Sequence, residues 1–182
     1  AAVRRRIYPV AALASLYSRL PLGRDDGVLA IGGQCNAARS EAFRASKEAA
    51  DWDSCVALAR RQERAGSQAL EVGTAFAGAD EAGAMAALVD HLRTAVAAPL
   101  VVASEDAEVL ETALKLYGGK AVIKAIDLAG GQETAAERLR LARRFGSAVI
   151  ARTSDQQAIF VTDSISIISK ISTSFAAFAM AT

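Results

Sequence analysis

The chain has 182 residues, of which 52% are apolar and 5% aromatic, so it is long enough to bury one hydrophobic core. Lys and Arg number 21 and Asp and Glu 20, and this near balance leaves no global field that would favour nucleic acid as a partner. Two cysteines and one histidine exclude a disulfide framework and a structural zinc site of four Cys and His ligands.

The chain begins with Ala, and a basic tripeptide stands at Arg4 to Arg6. This start is compatible with an artificial boundary or with the mature end left when a targeting peptide is removed. We therefore expect an organelle, a chloroplast or a mitochondrion, with the cytoplasm as the alternative. Residues 1–27 are assigned to an N-terminal extension.

From residue 28 onward, apolar runs alternate with helical segments, which is the pattern of repeated βα units. The predicted strands are 28–31, 68–72, 100–102, 121–123 and 148–151. The predicted helices are 42–64 with a break near Asp51, then 80–97, 107–117 with Ser104 as its N-cap, and 134–145. Because every strand is apolar throughout, we expect a parallel sheet covered by helices.

The tail, residues 158–182, differs from the repeated units. Its large apolar residues fall near helical spacing: Phe160, Ile167, Ile168, Ile171, Phe175 and Phe178. Asp163 and Lys170 interrupt it, so no stretch reaches the roughly 18 uncharged apolar residues of a membrane span. The pattern favours an amphipathic helix, and a strand over 164–172, where Ser and Ile alternate, is the competing interpretation.

Several motifs occur in a fixed order between residues 14 and 157. They are Ala14-Ser15-Leu16-Tyr17-Ser18, Pro21-Leu22, Ala42-Phe43-Arg44, Asp51-Trp52-Asp53, Ala59-Arg60-Arg61-Gln62, Gly66, Leu110-Glu111, Ala113-Leu114, Gly119-Lys120-Ala121-Val122-Ile123 and Arg144-Phe145-Gly146-Ser147-Ala148-Val149-Ile150. Together this set closely resembles the folate-binding (pterin-binding) domain of cobalamin-dependent methionine synthases. The resemblance implies a TIM barrel that binds its pterin at the carboxyl ends of the strands, through carboxylates and amides.

The strand ends depart from that family's motifs. Gly-Glu-Arg-Thr-Asn is replaced by Gly32-Gly33-Gln34-Cys35-Asn36, Asp-Val-Asn/Cys by Glu71-Val72-Gly73, Asp-Ser by Ala103-Ser104, and Asn-Ser by Lys124-Ala125. Asn36, Glu71 and Ser104 are therefore the remnant pterin positions. The structural alternative makes Asn36 a turn residue, Glu71 the ion-pair partner of Lys124, and Ser104 an N-cap. Each lost hydrogen-bonding partner costs about 1–3 kcal/mol, so no cofactor is expected, with tetrahydrofolate as the alternative.

Three further residues have simple structural interpretations. Cys35 lies at the former site, but no neighbouring base supports a reactive thiol, so an inert cysteine is expected. Trp52 is expected to anchor helix packing, and His91 to lie on the surface. No catalytic or metal-binding residue is proposed.

The expected architecture is α/β: an incomplete TIM-barrel-like (βα)5 parallel sheet over 28–157, followed by the apolar, helical tail 158–182. Five strands cannot close a barrel of eight, so two sheet edges and one apolar face would stay open. Other protein subunits are expected to cover these edges and the tail. Membrane contact is expected only through a partner or the tail.

Three functions remain open from the sequence. The first is a non-catalytic accessory or structural subunit of a larger complex, a pseudoenzyme derived from a methionine-synthase folate domain. The alternative is a methyltetrahydrofolate-binding domain of a methionine synthase or related folate-dependent methyltransferase, which predicts that Asn36, Glu71 and Ser104 converge on one pocket. The third is a small-molecule sensor with a changed ligand, for which Lys124 would favour an anion.

Overall fold

A computed structural model describes residues 11–22, 29–76, 79–126, 131–152 and 158–161 of the chain. The strands are β1 (Ala12–Ala14), β2 (Arg19–Pro21), β3 (Ile31–Asn36), β4 (Ala69–Gly73), β5 (Leu100–Ala103), β6 (Val122–Ile126), β7 (Ala148–Arg152) and β8 (Ala158–Val161). The helices are α1 (Glu41–Glu48), α2 (Trp52–Arg64), α3 (Glu81–Ala95), α4 (Ala107–Tyr117) and α5 (Gln132–Phe145). Within these ranges, no helix combines the length and the apolar character needed to cross a membrane.

The main sheet has the order β3-β4-β5-β6-β7-β8. The first five of these strands are parallel, and each lies beside the next one along the chain. This is the arrangement of consecutive βα units in a barrel wall, so the prediction of a partial (βα)5 parallel sheet is confirmed.

The helical prediction for the tail is wrong over Ala158–Val161, which forms β8 and pairs antiparallel with β7. A four-residue run of apolar, largely β-branched and aromatic residues suits an edge strand, and the longer helical spacing concealed it. Strand β8 takes the edge of β7 where a sixth parallel strand would continue a barrel. Residues 162–182, with the competing strand over 164–172, lie outside the described residues.

The first strand of the sheet begins later than predicted. Residues 32–36, which follow the predicted strand 28–31, form the body of β3, and this strand carries a bulge between Gly32 and Cys35. Gln62 supports the bulge, because its Oε1 accepts a hydrogen bond of 2.8 Å from the Gln34 backbone N–H. A Cβ on Gly32 would lie 2.6 Å from the same Oε1, so a side chain there would push the Gln62 amide away from the bulge.

The break between α1 and α2 lies where it was predicted, and the Asp51 side chain caps α2 by accepting a hydrogen bond from Ser54 N–H. The N-cap of α4 was predicted wrongly. Asp106 is the N-cap, and its side chain accepts a hydrogen bond from Glu108 N–H. Ser104 lies two residues before it, and its Oγ accepts a hydrogen bond from Asp106 N–H. Both residues are good caps, and the start of the helix decides between them.

Two apolar clusters lie on opposite faces of the sheet. The outer cluster joins the helices to one face of the sheet, with the strand residues Leu70, Val72, Val102 and Ile123. Helix α3 contributes one apolar face to it, formed by Met85, Leu88, Val89 and Leu92. The inner cluster joins Leu13 and Leu22 to Ala69, Val101, Val122, Ala148 and Ile150. The inner face is therefore covered near the amino ends of its strands.

The cover is an antiparallel hairpin of β1 and β2, which the apolar pattern did not predict. Ala14 exchanges two backbone hydrogen bonds with Lys120, and the hydroxyls of Ser15 and Ser18 donate to the Ala97 carbonyl. A Cβ on Gly119 would collide with the Ala14 carbonyl oxygen, so glycine lets the two backbones meet. The hairpin packs as part of the core.

Candidate functional site

The carboxyl ends of β3, β4 and β6 bring three of the predicted polar residues together on the inner face of the sheet. Asn36 is the last residue of β3, Glu71 lies within β4, and Lys124 lies within β6. Because alternate residues of a strand share a face, Glu71 projects to the same side as the inward-facing Ala69. We refer to Asn36, Arg39, Glu71 and Lys124 as the strand-end cluster.

Glu71 is the centre of the strand-end cluster, and its side chain is 5% exposed. Its Oε1 accepts a hydrogen bond of 2.8 Å from Asn36 Nδ2. Its Oε2 accepts one of 2.6 Å from Lys124 Nζ. The predicted ion pair between Glu71 and Lys124 is confirmed, and both oxygens of this buried carboxylate already have partners within the chain.

The position of Asn36 depends on a glycine. A Cβ on Gly73 would lie 2.8 Å from Asn36 Nδ2 and 3.3 Å from the Ala103 carbonyl oxygen. At its other end, Asn36 Oδ1 accepts a hydrogen bond from Ala38 N–H. The amide is therefore fixed at both ends, and the glycine that departs from the family motif provides the space for it.

Ser104 makes different contacts. Its hydroxyl donates a hydrogen bond of 2.5 Å to Glu81 Oε1 and accepts one from Asp106 N–H. Glu81 lies in the first turn of α3, and its carbonyl accepts a hydrogen bond from Thr74 Oγ1. The structure thus joins Asn36 to Glu71 directly and directs Ser104 to Glu81.

Two participants were missed in the sequence. Arg39 lies in the loop after β3, with Nη1 at 3.6 Å from Glu71 Oε2. Glu81 follows the N-cap Asp80 and looked like an ordinary acidic residue of a first helical turn. The sequence signal was the same for both residues. Each lies in the segment from the end of a strand to the first turn of the next helix, and a barrel places this segment toward its site.

Two cations fasten the loop that follows β4. Lys47 is buried and donates a hydrogen bond of 3.3 Å to the Thr74 carbonyl. The Arg44 guanidinium lies 4.5 Å from the centroid of the exposed Phe76 ring. These contacts position the segment after β4, and neither of them involves a residue of the strand-end cluster.

The remaining candidate residues, Trp52, His91 and the two cysteines, make packing contacts or are buried. Trp52 packs against the outer cluster and stacks on the exposed His91 ring, with 5.8 Å between centroids. Both cysteines are buried, and this burial raises the pKa of Cys35 to about 12 and that of Cys55 to about 11. Within the described ranges, no group of three or more His, Cys, Asp or Glu could hold a metal ion.

Neither cysteine is expected to react with Ellman's reagent in the native protein at pH 8. Because the pKa values of about 12 and about 11 lie far above this pH, well under about 1% of each thiol is the reactive thiolate. The measurement is thiol titration before and after unfolding in guanidinium, with Cys35→Ser and Cys55→Ser to separate the two signals. Rapid reaction of Cys35 in the native protein would contradict its burial.

Comparisons with known proteins found a matching family and similar proteins. The family described as pterin binding enzyme matches residues 32–177 of the chain. The methionine synthase of Mycobacterium tuberculosis is 31% identical over 148 residues, which cover 80% of this chain and 12% of the relative. The methionine synthase of Mycobacterium leprae is 30% identical over 148 residues, with the same coverage of 80% and 12%. The chain thus spans about an eighth of the length of these relatives.

Proposed function

This chain belongs to the pterin-binding enzyme family. We propose that it derives from a folate-binding domain and that its own side chains now form hydrogen bonds with the groups that would otherwise bind the ligand. In this proposal it is a non-catalytic structural subunit of a larger assembly. The resemblance to the folate domain of methionine synthases indicates where the ligand would lie, at the carboxyl ends of the strands. The strand-end cluster occupies that position.

One observation carries the proposal: both oxygens of Glu71 are engaged, one by Asn36 and the other by Lys124. A pterin that took the place of Lys124 on Glu71 would displace that lysine from a buried carboxylate. Hydrogen bonds to charged groups contribute about 1.5–3 kcal/mol, so this displacement alone would weaken binding by about tenfold to a hundredfold.

The sheet supports the part of the proposal that concerns an assembly. Among the described residues, β3 pairs only with β4, so its other edge has backbone groups without a neighbouring strand. Such edges are usually covered in natural proteins. Other protein subunits at this edge, and at the tail beyond 161, would cover them, and neither nucleic acid nor a direct membrane contact is part of the proposal.

The comparisons favour a second candidate function. Two relatives are named methionine synthase, so the chain could serve as the methyltetrahydrofolate-binding domain of such a methyltransferase. The other domains of that enzyme would then have to come from elsewhere, since the match covers 12% of each relative. Lys124 would have to leave Glu71 on binding, and its side chain is 24% exposed and so has access to solvent.

We expect no saturable binding of methyltetrahydrofolate below about 100 μM, because displacing Lys124 from Glu71 would weaken binding by about tenfold to a hundredfold. Calorimetric titration of the purified chain measures this. The double variant Glu71→Asp/Lys124→Asn restores the family residue at both positions and is expected to bind more tightly than the unaltered chain. Arg140→Gln, which removes an exposed ion pair on α5, is the control and should change nothing.

Binding at micromolar concentration by the unaltered chain would overturn the proposal in favour of the second candidate. The assembly is tested separately by the native mass of the protein isolated from its source. Recovery in a large complex without folate supports the structural role, and a free monomer that carries folate contradicts it.

A further inference from the structure

Two cations of the strand-end cluster converge on one carboxylate oxygen. Lys124 Nζ lies 2.6 Å from Glu71 Oε2, and Arg39 Nη1 lies 3.6 Å from the same atom. Among the described residues, the only anion in these contacts is Glu71, so the cluster has two positive charges and one negative charge. In this partly buried position the excess positive charge favours an additional anion.

The two cations are unequal in how firmly they are held. Lys124 makes a short hydrogen bond to Glu71, whereas the Arg39 contact is longer than a hydrogen bond and the Arg39 side chain is 59% exposed. Arg39 therefore keeps its five N–H donors available for another partner. The carboxylate of Glu81 accepts a hydrogen bond from the Ser104 hydroxyl, and among the described residues it forms no ion pair with Arg39 or Lys124.

We propose that Arg39 and Lys124 together bind a small oxyanion, a ligand with a carboxylate or phosphate group, at the solvent side of Glu71. Lys124 Nζ and Arg39 Nη1 lie 2.6 Å and 3.6 Å from the same Glu71 oxygen, so the distance between the two nitrogens cannot exceed the sum of these two distances. An oxyanion with two oxygens can bridge such a pair, and arginine suits this bidentate recognition. Asn36 and Glu71 then serve to position Lys124.

This inference rests on the part of the proposed function in which Lys124 is the partner of Glu71, and it adds a ligand class to that site. It does not depend on the assembly. Inorganic phosphate is a separate probe from folate, because methyltetrahydrofolate carries a pterin ring as well as carboxylates, whereas phosphate presents only charged oxygens.

The test is a titration of the full chain with inorganic phosphate, followed by amide chemical shifts, with chloride at matched ionic strength as the reference. Saturable shifts around Asn36 and Arg39 are expected, with a dissociation constant on the order of 1 mM. Arg39→Gln is expected to weaken binding about tenfold, since it removes one charge-assisted contact. Arg140→Gln is the matched control, because that arginine is 55% exposed and ion-paired elsewhere, to Glu133.

Phosphate shifts no larger than those from chloride, or an equal loss in Arg39→Gln and Arg140→Gln, would overturn the inference. Either of these results would leave the proposed absence of folate binding standing. Folate binding without phosphate binding would overturn both proposals. Saturable phosphate binding that depends on Arg39, in a chain that does not bind folate, supports both.

Discussion

Replacing Lys124 with Met is expected to lower the free energy of unfolding by about 3 kcal/mol, since it leaves a buried carboxylate without its bonded cation. The Glu71 side chain is 5% exposed, and Lys124 Nζ is its closest charged partner, at 2.6 Å. Removing one member of a buried ion pair costs about 3–5 kcal/mol, and the partial exposure of Lys124 sets the lower end of that range. Urea unfolding of the two proteins measures the difference.

Two controls separate the loss of the pair from the loss of a side chain. Lys115→Met breaks an exposed pair with Glu111 and should change stability by under about 0.5 kcal/mol. Adding Glu71→Gln to Lys124→Met should restore much of the lost stability, because the buried charge, which would otherwise keep only the longer contact with Arg39, is gone. A coupling energy near zero in this double-mutant cycle would show that the pair does not hold the strand ends together.

Leu13→Ala is expected to destabilise the protein by about 3 kcal/mol, as large-to-small substitutions in a core do. Leu13 is fully buried in β1 and packs in the inner cluster with Val101 and Val122. The cost combines lost burial of the side chain with the cavity left beneath the hairpin. Thermal or urea unfolding gives the change directly.

Leu16→Ala is the matched control for this prediction. Leu16 lies in the same hairpin but is 48% exposed, so its truncation should cost less than about 1 kcal/mol. Equal effects of the two substitutions would mean that the hairpin does not cover the inner face. The expected difference would place residues 11–22 in the cooperative unit formed by the sheet.

Under the proposed function, the ligand positions implied by the family resemblance would have become structural. Glu71 keeps a carboxylate at the strand end, and the longer side chain accepts hydrogen bonds from Asn36 and Lys124. Gly73 admits the Asn36 amide that completes the arrangement. In a buried site a satisfied carboxylate is stable, whereas an unsatisfied one is costly, so each of these departures from the family's motifs supports the others.

The sequence alone determined the parallel arrangement of the five strands, because continuous apolar runs between amphipathic helices are typical of a helix-covered parallel sheet. Their order along the sheet followed from the family resemblance, which implies a barrel. The sequence also determined the pairing of Glu71 with Lys124, since carboxyl ends of parallel strands meet at one edge. The break at Asp51 followed from local capping chemistry. The parallel arrangement and the break at Asp51 depend on periodicity and on local hydrogen bonds, which are set by consecutive residues, whereas the Glu71–Lys124 pair followed from the shared edge of the parallel strands.

Only the tertiary structure decided which distant groups meet. The hairpin over the inner face, the antiparallel pairing of β8, the contact of Arg39 with Glu71 and the turn of Ser104 toward Glu81 belong to this group. The bulge in β3 was hidden because Gly32 resembles a loop residue until the approach of Gln62 is known. Such contacts depend on register and on the space between elements, and local sequence patterns constrain neither of these.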